Sequence, residues 1–217
     1  MPPEERSKRT YDAPRRRAQA MATRAAVVAA ARELFVDRGY AAATIVAVAA
    51  RAGVSSETVY AAFRTKRGLL EAVVDASVAG DDQPVPVLER PWVAALRDEP
   101  DVERRVRMLA RGGRAILERI APIHRMLVGA AGVEPAAAEV LERYAAQRLE
   151  GQRALVRIVI GDASMRPGVS MRAAVDTVFA IGSPETYRLL VDERGWTPAG
   201  FERWYADSLI RLLLPDA

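Results

Sequence analysis

The stretch TIVAVAARAGVSSETVYAAF, Thr44–Phe63, decides the fold of this chain. It contains two short segments with apolar residues at helical spacing, separated by a tight turn around Gly53. Thr44 and Ser55 each precede one segment, and both are residue types that cap helix N-termini. Gly53 supplies the backbone freedom that a sharp turn between helices requires. The stretch therefore predicts a helix-turn-helix, whose second helix, Ser56–Phe63, can enter the major groove of DNA.

The rest of the chain also predicts helices, because strand-like alternation is absent and Ala, Leu, Arg and Glu dominate the long segments. A first helix is expected over Pro14–Asp37 with a stop at Gly39, and a fourth, capped by Thr65, over Lys66–Ala79. Prolines between Gly80 and Pro91 indicate a linker. Further helices are expected over Asp101–Ile120, Pro122–Ala131, Pro135–Ile160, Ser170–Glu193 and Pro198–Leu214.

These patterns predict an all-α fold of about nine to ten helices. We expect a flexible basic arm over residues 1–14, a three-helix helix-turn-helix DNA-binding domain over 15–80, and a larger C-terminal helical bundle over 81–217. The charge is unevenly distributed. Residues 1–75 hold 13 basic and 8 acidic residues, a net charge of +5, whereas the remainder carries a net charge of −1. A one-sided basic excess of this kind favours a polyanionic partner.

Composition argues against several other functions. The chain has no cysteine, one histidine and no Gly-x-Ser-x-Gly motif, so the usual nucleophilic and zinc constellations are missing. We therefore expect neither an enzyme nor a cofactor or metal site. No apolar stretch approaches the length of a membrane span, and the N-terminus has no apolar segment of the signal-peptide type. A cytoplasmic protein without membrane contact is expected.

The N-terminal third resembles the tetracycline-repressor (TetR/AcrR) family. The last stretch, RGWTPAGFERWYADSLIRLLL, also resembles the final helix of one subgroup of this family. The N-terminal resemblance covers about 45 residues without a gap and is carried by Ala30, Ala31, Leu34, Phe35, Gly39, Tyr40, Thr44, Ile45, Val48, Ala49, Ala52, Gly53, Val54, Ser55, Thr58, Tyr60, Phe63, Lys66, Leu69 and Leu70.

The resemblance implies a sequence-specific transcriptional regulator that binds a double-stranded DNA operator, most commonly as a repressor. It assigns phosphate contacts to Thr44, Tyr60 and Lys66, and base contacts to the start of the reading helix. The full set of expected DNA-binding residues is Thr44, Arg51, Ser55, Ser56, Glu57, Thr58, Tyr60 and Lys66.

Positive charge near the start of the fourth helix adds a physical argument for Lys66. Arg64, Lys66 and Arg67 oppose the helix dipole there, a cost that a docked phosphate would offset. In the N-terminal arm, the basic residues favour either extra DNA contacts or a solubilising tail, and both interpretations stay open. These residues are Arg6, Lys8, Arg9, Arg15, Arg16 and Arg17.

Two apolar stripes near the C-terminus predict either an intramolecular core or a four-helix homodimer interface. The resemblance favours the dimer, whose expected interface residues are Val175, Phe179, Phe201, Trp204, Tyr205, Leu209 and Leu212. The resemblance also implies a small-molecule effector that releases the DNA. The candidate pocket residues within 88–160 are Trp92, Met108, His124, Met126 and Tyr144.

Two alternatives remain at this point. An architectural protein would bind DNA with little sequence preference. A helical ligand-binding protein with a decayed DNA motif is also compatible, because Ser56, Glu57 and Ala61 depart from the residues common in the family.

Overall fold

The computed structural model describes residues 12–81, 83 and 85–216, which divide into two units at Val73/Val74. The described residues form ten α-helices and no strand. The all-α fold expected from the sequence is confirmed. The predicted basic arm lies largely outside the described residues. Arg15, Arg16 and Arg17 are the exception, since they are exposed residues of the first helix rather than part of an arm.

The first unit contains α1 (Asp12–Ala42), α2 (Ile45–Ala52), α3 (Ser56–Phe63) and the beginning of α4 (Lys66–Ala79). α1 is interrupted at Gly39, whose φ is +79°. Apolar residues at helical spacing face inward from all four helices and form a closed core. α2 and α3 have eight residues each and are too short to be stable without this packing. The buried side chains include Val27, Ala31, Leu34, Phe35, Val48, Val59, Leu69, Leu70 and Val73.

The second unit begins within α4 and continues through a 3₁₀ turn, Val87–Glu89. Its α-helices are α5 (Pro91–Asp98), α6 (Val102–Ala131), α7 (Pro135–Ile160), α8 (Met171–Ile181), α9 (Pro184–Tyr187) and α10 (Pro198–Leu213). Its two longest helices are α6 and α7. A π-helical segment, Arg188–Glu193, follows α9. α6 packs against α7 and α10, and α7 packs against α8.

Arg105 of α6 connects two backbone segments that are distant in sequence. Its Nε donates to the carbonyl oxygen of Val159 at 2.6 Å, and its Nη2 to that of Ile160 at 3.2 Å, so it closes the last turn of α7. Its Nη1 donates to the carbonyl oxygens of Glu99 and Pro100 at 2.8 and 3.1 Å. One half-buried guanidinium therefore satisfies four carbonyl groups.

The predicted helix break at Pro122 is wrong, because α6 continues through this residue to Ala131. A proline inside a helix costs about 3 kcal/mol, since its ring displaces the carbonyl four residues earlier. Ile120, Ala121 and Ile123 are all buried around it. Burying each isoleucine contributes about 1.5–3 kcal/mol, which offsets the cost and keeps the helix continuous.

Two further predictions about helix boundaries need correction. The single helix expected over Ser170–Glu193 is interrupted after Ile181, because Gly182 ends α8 and Ser183 caps a new helix by accepting the Thr186 N–H at 3.0 Å. The helix α5 was not predicted at all. Its pattern is a proline in the first turn followed by buried Val93 and Leu96, which is typical of a short amphipathic helix.

Candidate nucleic-acid interface

Two side-chain caps and one left-handed glycine fix the helix-turn-helix. The Thr44 Oγ1 accepts the backbone N–H of Ala47 at 3.1 Å, and the Ser55 Oγ accepts that of Thr58 at 3.2 Å. Gly53 ends α2 with φ +69°, a conformation that costs other residues energy. The predicted caps and turn are therefore confirmed. Each cap satisfies a helix N-terminal donor that would otherwise need water.

The inward face of α3 leaves only one side of the helix open to a partner. Val59 and Phe63 are buried, and the guanidinium of Arg24 lies 4.5 Å from the centre of the Phe63 ring. α2 contributes buried Val48 and Ala49 to the same core. Because apolar contacts hold both helices, the exposed face of α3 is presented by a rigid support.

That exposed face carries the residues expected to contact bases, together with Tyr60, which is expected to contact a phosphate. Glu57, Thr58 and Tyr60 are exposed, and Ser56 is half-buried in the first turn. The Glu57 pKa is lowered because the carboxylate accepts hydrogen bonds from its own backbone N–H and from the Ser55 hydroxyl. Glu57 is therefore ionised at neutral pH and can only accept hydrogen bonds.

Two of the basic residues expected to contact DNA are already bound within the unit. The Lys66 Nζ donates to the carbonyl oxygen of Ala41 at 3.1 Å and lies 4.3 Å from the centre of the Tyr40 ring. The Arg51 Nε donates to the Glu33 carboxylate at 2.6 Å, linking α2 to α1. The premise that the Lys66 charge is uncompensated was wrong, because a carbonyl and an aromatic face stabilise it.

Arg64, which joins α3 to α4, has an unusual backbone. Among the non-glycine residues that the structure describes, Arg64 alone has a positive φ, with φ +65° and ψ −46°. The Thr65 N–H donates to the Phe63 carbonyl oxygen at 2.7 Å, which completes a γ-turn of the rare, strained type. Such a conformation costs about 1–3 kcal/mol and persists only where the surroundings impose it.

The Arg64 side chain is also a free cation at the end of the reading helix. It is exposed and makes no hydrogen bond or ion pair with any other described residue. Sequence reasoning placed Arg64 in a basic cluster but not among the DNA-binding residues. No sequence signal marked it, because the positive φ becomes visible only in the structure.

Gly68 makes the γ-turn possible. A Cβ at this position would lie 2.4 Å from the Phe63 carbonyl oxygen, which no packed structure tolerates. The Gly68 N–H donates to the Thr65 Oγ1 at 2.9 Å, so the expected Thr65 cap is confirmed. The glycine therefore accommodates a carbonyl that the turn at Arg64 directs into the first turn of α4.

All eight expected DNA-binding residues lie in the first unit, on α2, on α3 or at the helix ends beside them. The structure brings Thr58, Ser55 and Glu57 together at the start of α3, with the Ser55 and Thr58 hydroxyl oxygens 3.2 Å apart. Contact with DNA remains a prediction for each of them.

The five expected effector residues do not share a pocket. Trp92 and Met108 line a cleft in the second unit, whereas His124, Met126 and Tyr144 are absent from its lining. His124 lies in the second half of α6 rather than near a helix start, and its ring centre is 5.8 Å from that of Tyr144. Burial lowers the His124 pKa despite Glu185 at 3.5 Å. We therefore restrict the candidate effector site to the cleft.

The expected dimer interface also needs correction. Phe201, Tyr205 and Leu209 are at most 2% exposed within one chain, so they form the core of the second unit and cannot contact a partner. Val175 is also buried, at 6%. Phe179 lies beneath the Arg148 guanidinium, 3.8 Å from its ring centre. Of the expected set, Leu212 on α10 is exposed, whereas Trp204 on α10 and Phe179 on α8 are half-buried.

Comparisons with known proteins agree with this geometry. Residues 27–73 match the family model described as "Bacterial regulatory proteins, tetR family". No protein of curated function matches the chain by sequence. The family match covers the end of α1, all of α2 and α3, and the first half of α4.

Solved structures extend the likeness to the whole fold. A TetR-family transcriptional regulator from Mesorhizobium loti is 19% identical with a TM-score of 0.67, covering 90% of this chain and 98% of its own. NalD, the secondary repressor of the MexAB-OprM multidrug efflux pump in Pseudomonas aeruginosa, is 21% identical with a TM-score of 0.65, covering 92% and 100%. FadR from Bacillus subtilis, solved in complex with stearoyl-CoA, is 14% identical with a TM-score of 0.62, covering 85% and 96%.

The helix-turn-helix segment therefore belongs to the tetR family of bacterial regulatory proteins, and the chain has the fold of TetR-family transcriptional regulators. Among the described residues, no helix has the length and apolar character needed to cross a membrane.

Proposed function

We propose that this protein is a homodimeric transcriptional repressor that binds a specific DNA operator through α3 and leaves it when a small molecule binds the second unit. The observation that carries the proposal is the exposed face of α3, where Glu57, Thr58 and Tyr60 project from a helix held by buried Val59 and Phe63. A rigid helix with polar side chains on its open face suits readout of base edges in the major groove.

The roles of these side chains follow from their chemistry. Glu57 accepts from a cytosine amine, and Thr58 contacts a thymine methyl group or donates to a base. Tyr60, at 52% exposure, reaches a phosphate with its hydroxyl. Arg64 supplies the phosphate contact that Lys66 is less able to make, because the Lys66 ammonium is engaged by Ala41 and Tyr40.

A dimer would present two copies of α3 to successive major grooves about 34–36 Å apart. The outer side of α10 and the segment that precedes it support this assembly, since Leu212 on α10 is 48% exposed and Trp196, just before the helix, is 38% exposed. Trp196 and Trp204 pack edge to face with ring centres 5.9 Å apart. We assign the isologous contact to this surface. Leu212→Glu should shift the protein from dimer to monomer in light scattering, and an unchanged mass would contradict the assignment.

Effector control would act through α4, which contributes residues to both units. Val78 and Ala79, at its end, line the cleft of the second unit, and Lys66 begins the same helix. A ligand that prefers one position of α4 would shift the population of DNA-binding conformations. The solved FadR complex supports the idea that this fold accommodates a small molecule. Such a regulator would act in the cytoplasm, where its DNA target lies.

The decisive test is binding of the purified protein to DNA flanking its own gene, measured by fluorescence anisotropy against scrambled DNA at several salt concentrations. Glu57→Gln should reduce discrimination between sequences, because it loses the ionised acceptor. Tyr60→Phe and Arg64→Gln should weaken binding to every sequence. Arg104→Gln, which removes an exposed charge in the second unit, serves as the matched control. Equal, weak binding of all DNA sequences would overturn the proposal in favour of an architectural role.

A further inference from the structure

The second unit contains a cleft of about 570 Å³ bounded by the end of α4, by α5 and by α6. This volume lies within the range of about 300–1,000 Å³ typical of small-molecule sites. Much of the lining is apolar. The apolar side chains are Val78, Ala79, Val87, Trp92, Met108 and Ile116.

Trp92 forms a flat apolar wall of this cleft because Gly112 lies directly behind it. A Cβ on Gly112 would come within 2.9 Å of two Trp92 ring atoms. A glycine inside a helix is less favourable than an alanine at the same position. The absence of a side chain at Gly112 lets the six-membered ring of the indole lie against the backbone of α6, where Trp92 lines the cleft.

The polar part of the lining is made entirely of arginines. Arg90, Arg111, Arg114 and Arg119 line the cleft, and no Asp or Glu is among the described residues that do so. Arg90 pairs with Asp81 at 2.6 Å, and Arg114 pairs with Glu202 at 3.0 Å, with both carboxylates outside the lining.

The other two arginines of the lining, Arg111 and Arg119, differ from Arg90 and Arg114 in the contacts that they make. Arg119 donates to the Ser77 and Val78 carbonyl oxygens at 3.0 and 3.1 Å. The Arg111 side chain makes no hydrogen bond or ion pair with any described residue. The Arg119 pKa is lowered, chiefly by burial; the negative charge of Glu118 opposes this shift, and the positive charges of Arg114 and Arg90 add to it. An anion placed in the cleft would relieve that repulsion.

We propose that the cleft binds an amphipathic organic anion, with its apolar body against Trp92 and its carboxylate or phosphate held by Arg111. This inference rests on the proposed function and specifies the chemical class of its effector. Guanidinium groups pair with carboxylate and phosphate oxygens in bidentate geometry, so both headgroups fit the same residue. A cation would face four arginines with no acidic side chain among the lining residues, and a neutral ligand would leave the Arg111 charge without a partner in the cleft.

Arg119 would link the bound anion to α4. Its guanidinium holds the carbonyl oxygens of the last turn of α4, and it lines the same cleft as Arg111. An anion that attracts Arg119 weakens its hydrogen bonds to Ser77 and Val78. The end of α4 then changes its preferred position, as effector control requires.

The test uses isothermal titration calorimetry on the full-length protein without DNA. Four ligands share one ten-carbon chain and differ in headgroup: decanoate, decyl phosphate, decanol and decyltrimethylammonium, each below its micelle concentration. We expect both anions to bind at least about tenfold more tightly than the alcohol, and the cation to show no binding, because one charge-assisted hydrogen bond accounts for about a factor of ten.

Variants assign the binding to the cleft. Arg111→Gln should weaken both anions by about tenfold and leave decanol unchanged. Arg104→Gln on the same helix removes an exposed charge outside the cleft and should change nothing. Ala115→Phe fills the cleft and should abolish binding of every ligand. Equal affinity for all headgroups, tighter binding of the cation, or no effect of Arg111→Gln would overturn the proposal.

A separate anisotropy titration with DNA distinguishes this inference from the proposed function. If decanoate binds through Arg111 and leaves operator affinity unchanged, the cleft is an anion site but the effector role is refuted. If the protein binds its own flanking DNA specifically and none of the anions binds, the regulator stands and the anion site is refuted.

Discussion

Replacing Arg64 by glycine should make the first unit more stable while weakening DNA binding. The reason is the backbone of Arg64, which has φ +65° in a γ-turn closed by the Phe63 carbonyl and the Thr65 N–H at 2.7 Å. Glycine reaches positive φ without the clash that a Cβ causes. The same substitution removes an exposed cation beside the reading helix.

The expected change in the free energy of unfolding of Arg64→Gly is the difference between two opposing effects. Relief of strain contributes about 1–3 kcal/mol of stability. The greater freedom of glycine in the unfolded chain costs about 0.5–1 kcal/mol. We therefore expect Arg64→Gly to raise the free energy of unfolding by about 1 kcal/mol. Arg64→Gln keeps the strain, makes no new contact, and should change stability by less than about 0.5 kcal/mol.

Urea unfolding and DNA binding then separate the backbone from the charge. In both variants, the slope of log affinity against log salt should fall by about 0.9 for each phosphate that the protein no longer neutralises, or by about 1.8 for a dimer. Only the glycine variant should move the urea midpoint. If Arg64→Gly lowers the midpoint, the γ-turn is not strained and the reasoning fails. If the salt slope is unchanged in both variants, Arg64 does not bind a phosphate.

Three other substitutions test the local geometry. Helix propensity alone would make Gly68→Ala stabilising by about 1 kcal/mol. We expect the variant instead to lower the free energy of unfolding in urea by about 1–3 kcal/mol, because its Cβ would clash with the Phe63 carbonyl oxygen. A stabilised variant would contradict the 2.4 Å distance between that oxygen and the Cβ position. Lys66→Met should lower the free energy of unfolding by about 1–2 kcal/mol, because the ammonium loses its contacts with the Ala41 carbonyl oxygen and the Tyr40 ring. A fall in DNA affinity at unchanged stability would refute this internal role of Lys66. The Asp81 pKa, lowered to about 2 chiefly by its hydrogen bonds from Arg90, should rise towards 3.8 in Arg90→Gln when followed by NMR. Because the Asp81 pKa is lower in the folded protein than in the unfolded chain, the ion pair stabilises the protein at pH values above the unfolded pKa, and this contribution disappears as the pH falls towards about 2. An unchanged Asp81 pKa in Arg90→Gln would exclude the pair.

Local chemistry made the helix-turn-helix predictable from the sequence. Thr44, Gly53 and Ser55 each satisfy a backbone requirement within three or four residues, so their residue types alone indicate their positions. The break expected at Pro122 failed for the opposite reason. Its local cost is outweighed by burial against α7 and α10, and packing between distant segments cannot be read from a window of sequence.

At the candidate site, too, local features could be predicted from the sequence and contacts between distant residues could not. The position of Glu57 and Tyr60 on the open face of α3 follows from helical periodicity. The internal contacts of Lys66 and Arg51 do not, because their partners Ala41 and Glu33 are 25 and 18 residues away. Counting charges therefore overstated the number of cations available to DNA. The buried α10 stripe was ambiguous for a similar reason, since core and interface require the same apolar spacing.

The hydrogen bonds of Arg105 bear on how substitutions accumulate in this chain. Lys8 and Lys66 are its only two lysines, and base composition alone could produce such a preference for arginine. At an exposed position, exchange of arginine for lysine keeps the charge and changes little. Arg105 is different, because three of its nitrogens reach carbonyl groups on two separate segments, and a single ammonium cannot span them. A compositional drift towards lysine would therefore be tolerated across most of the surface and opposed at Arg105.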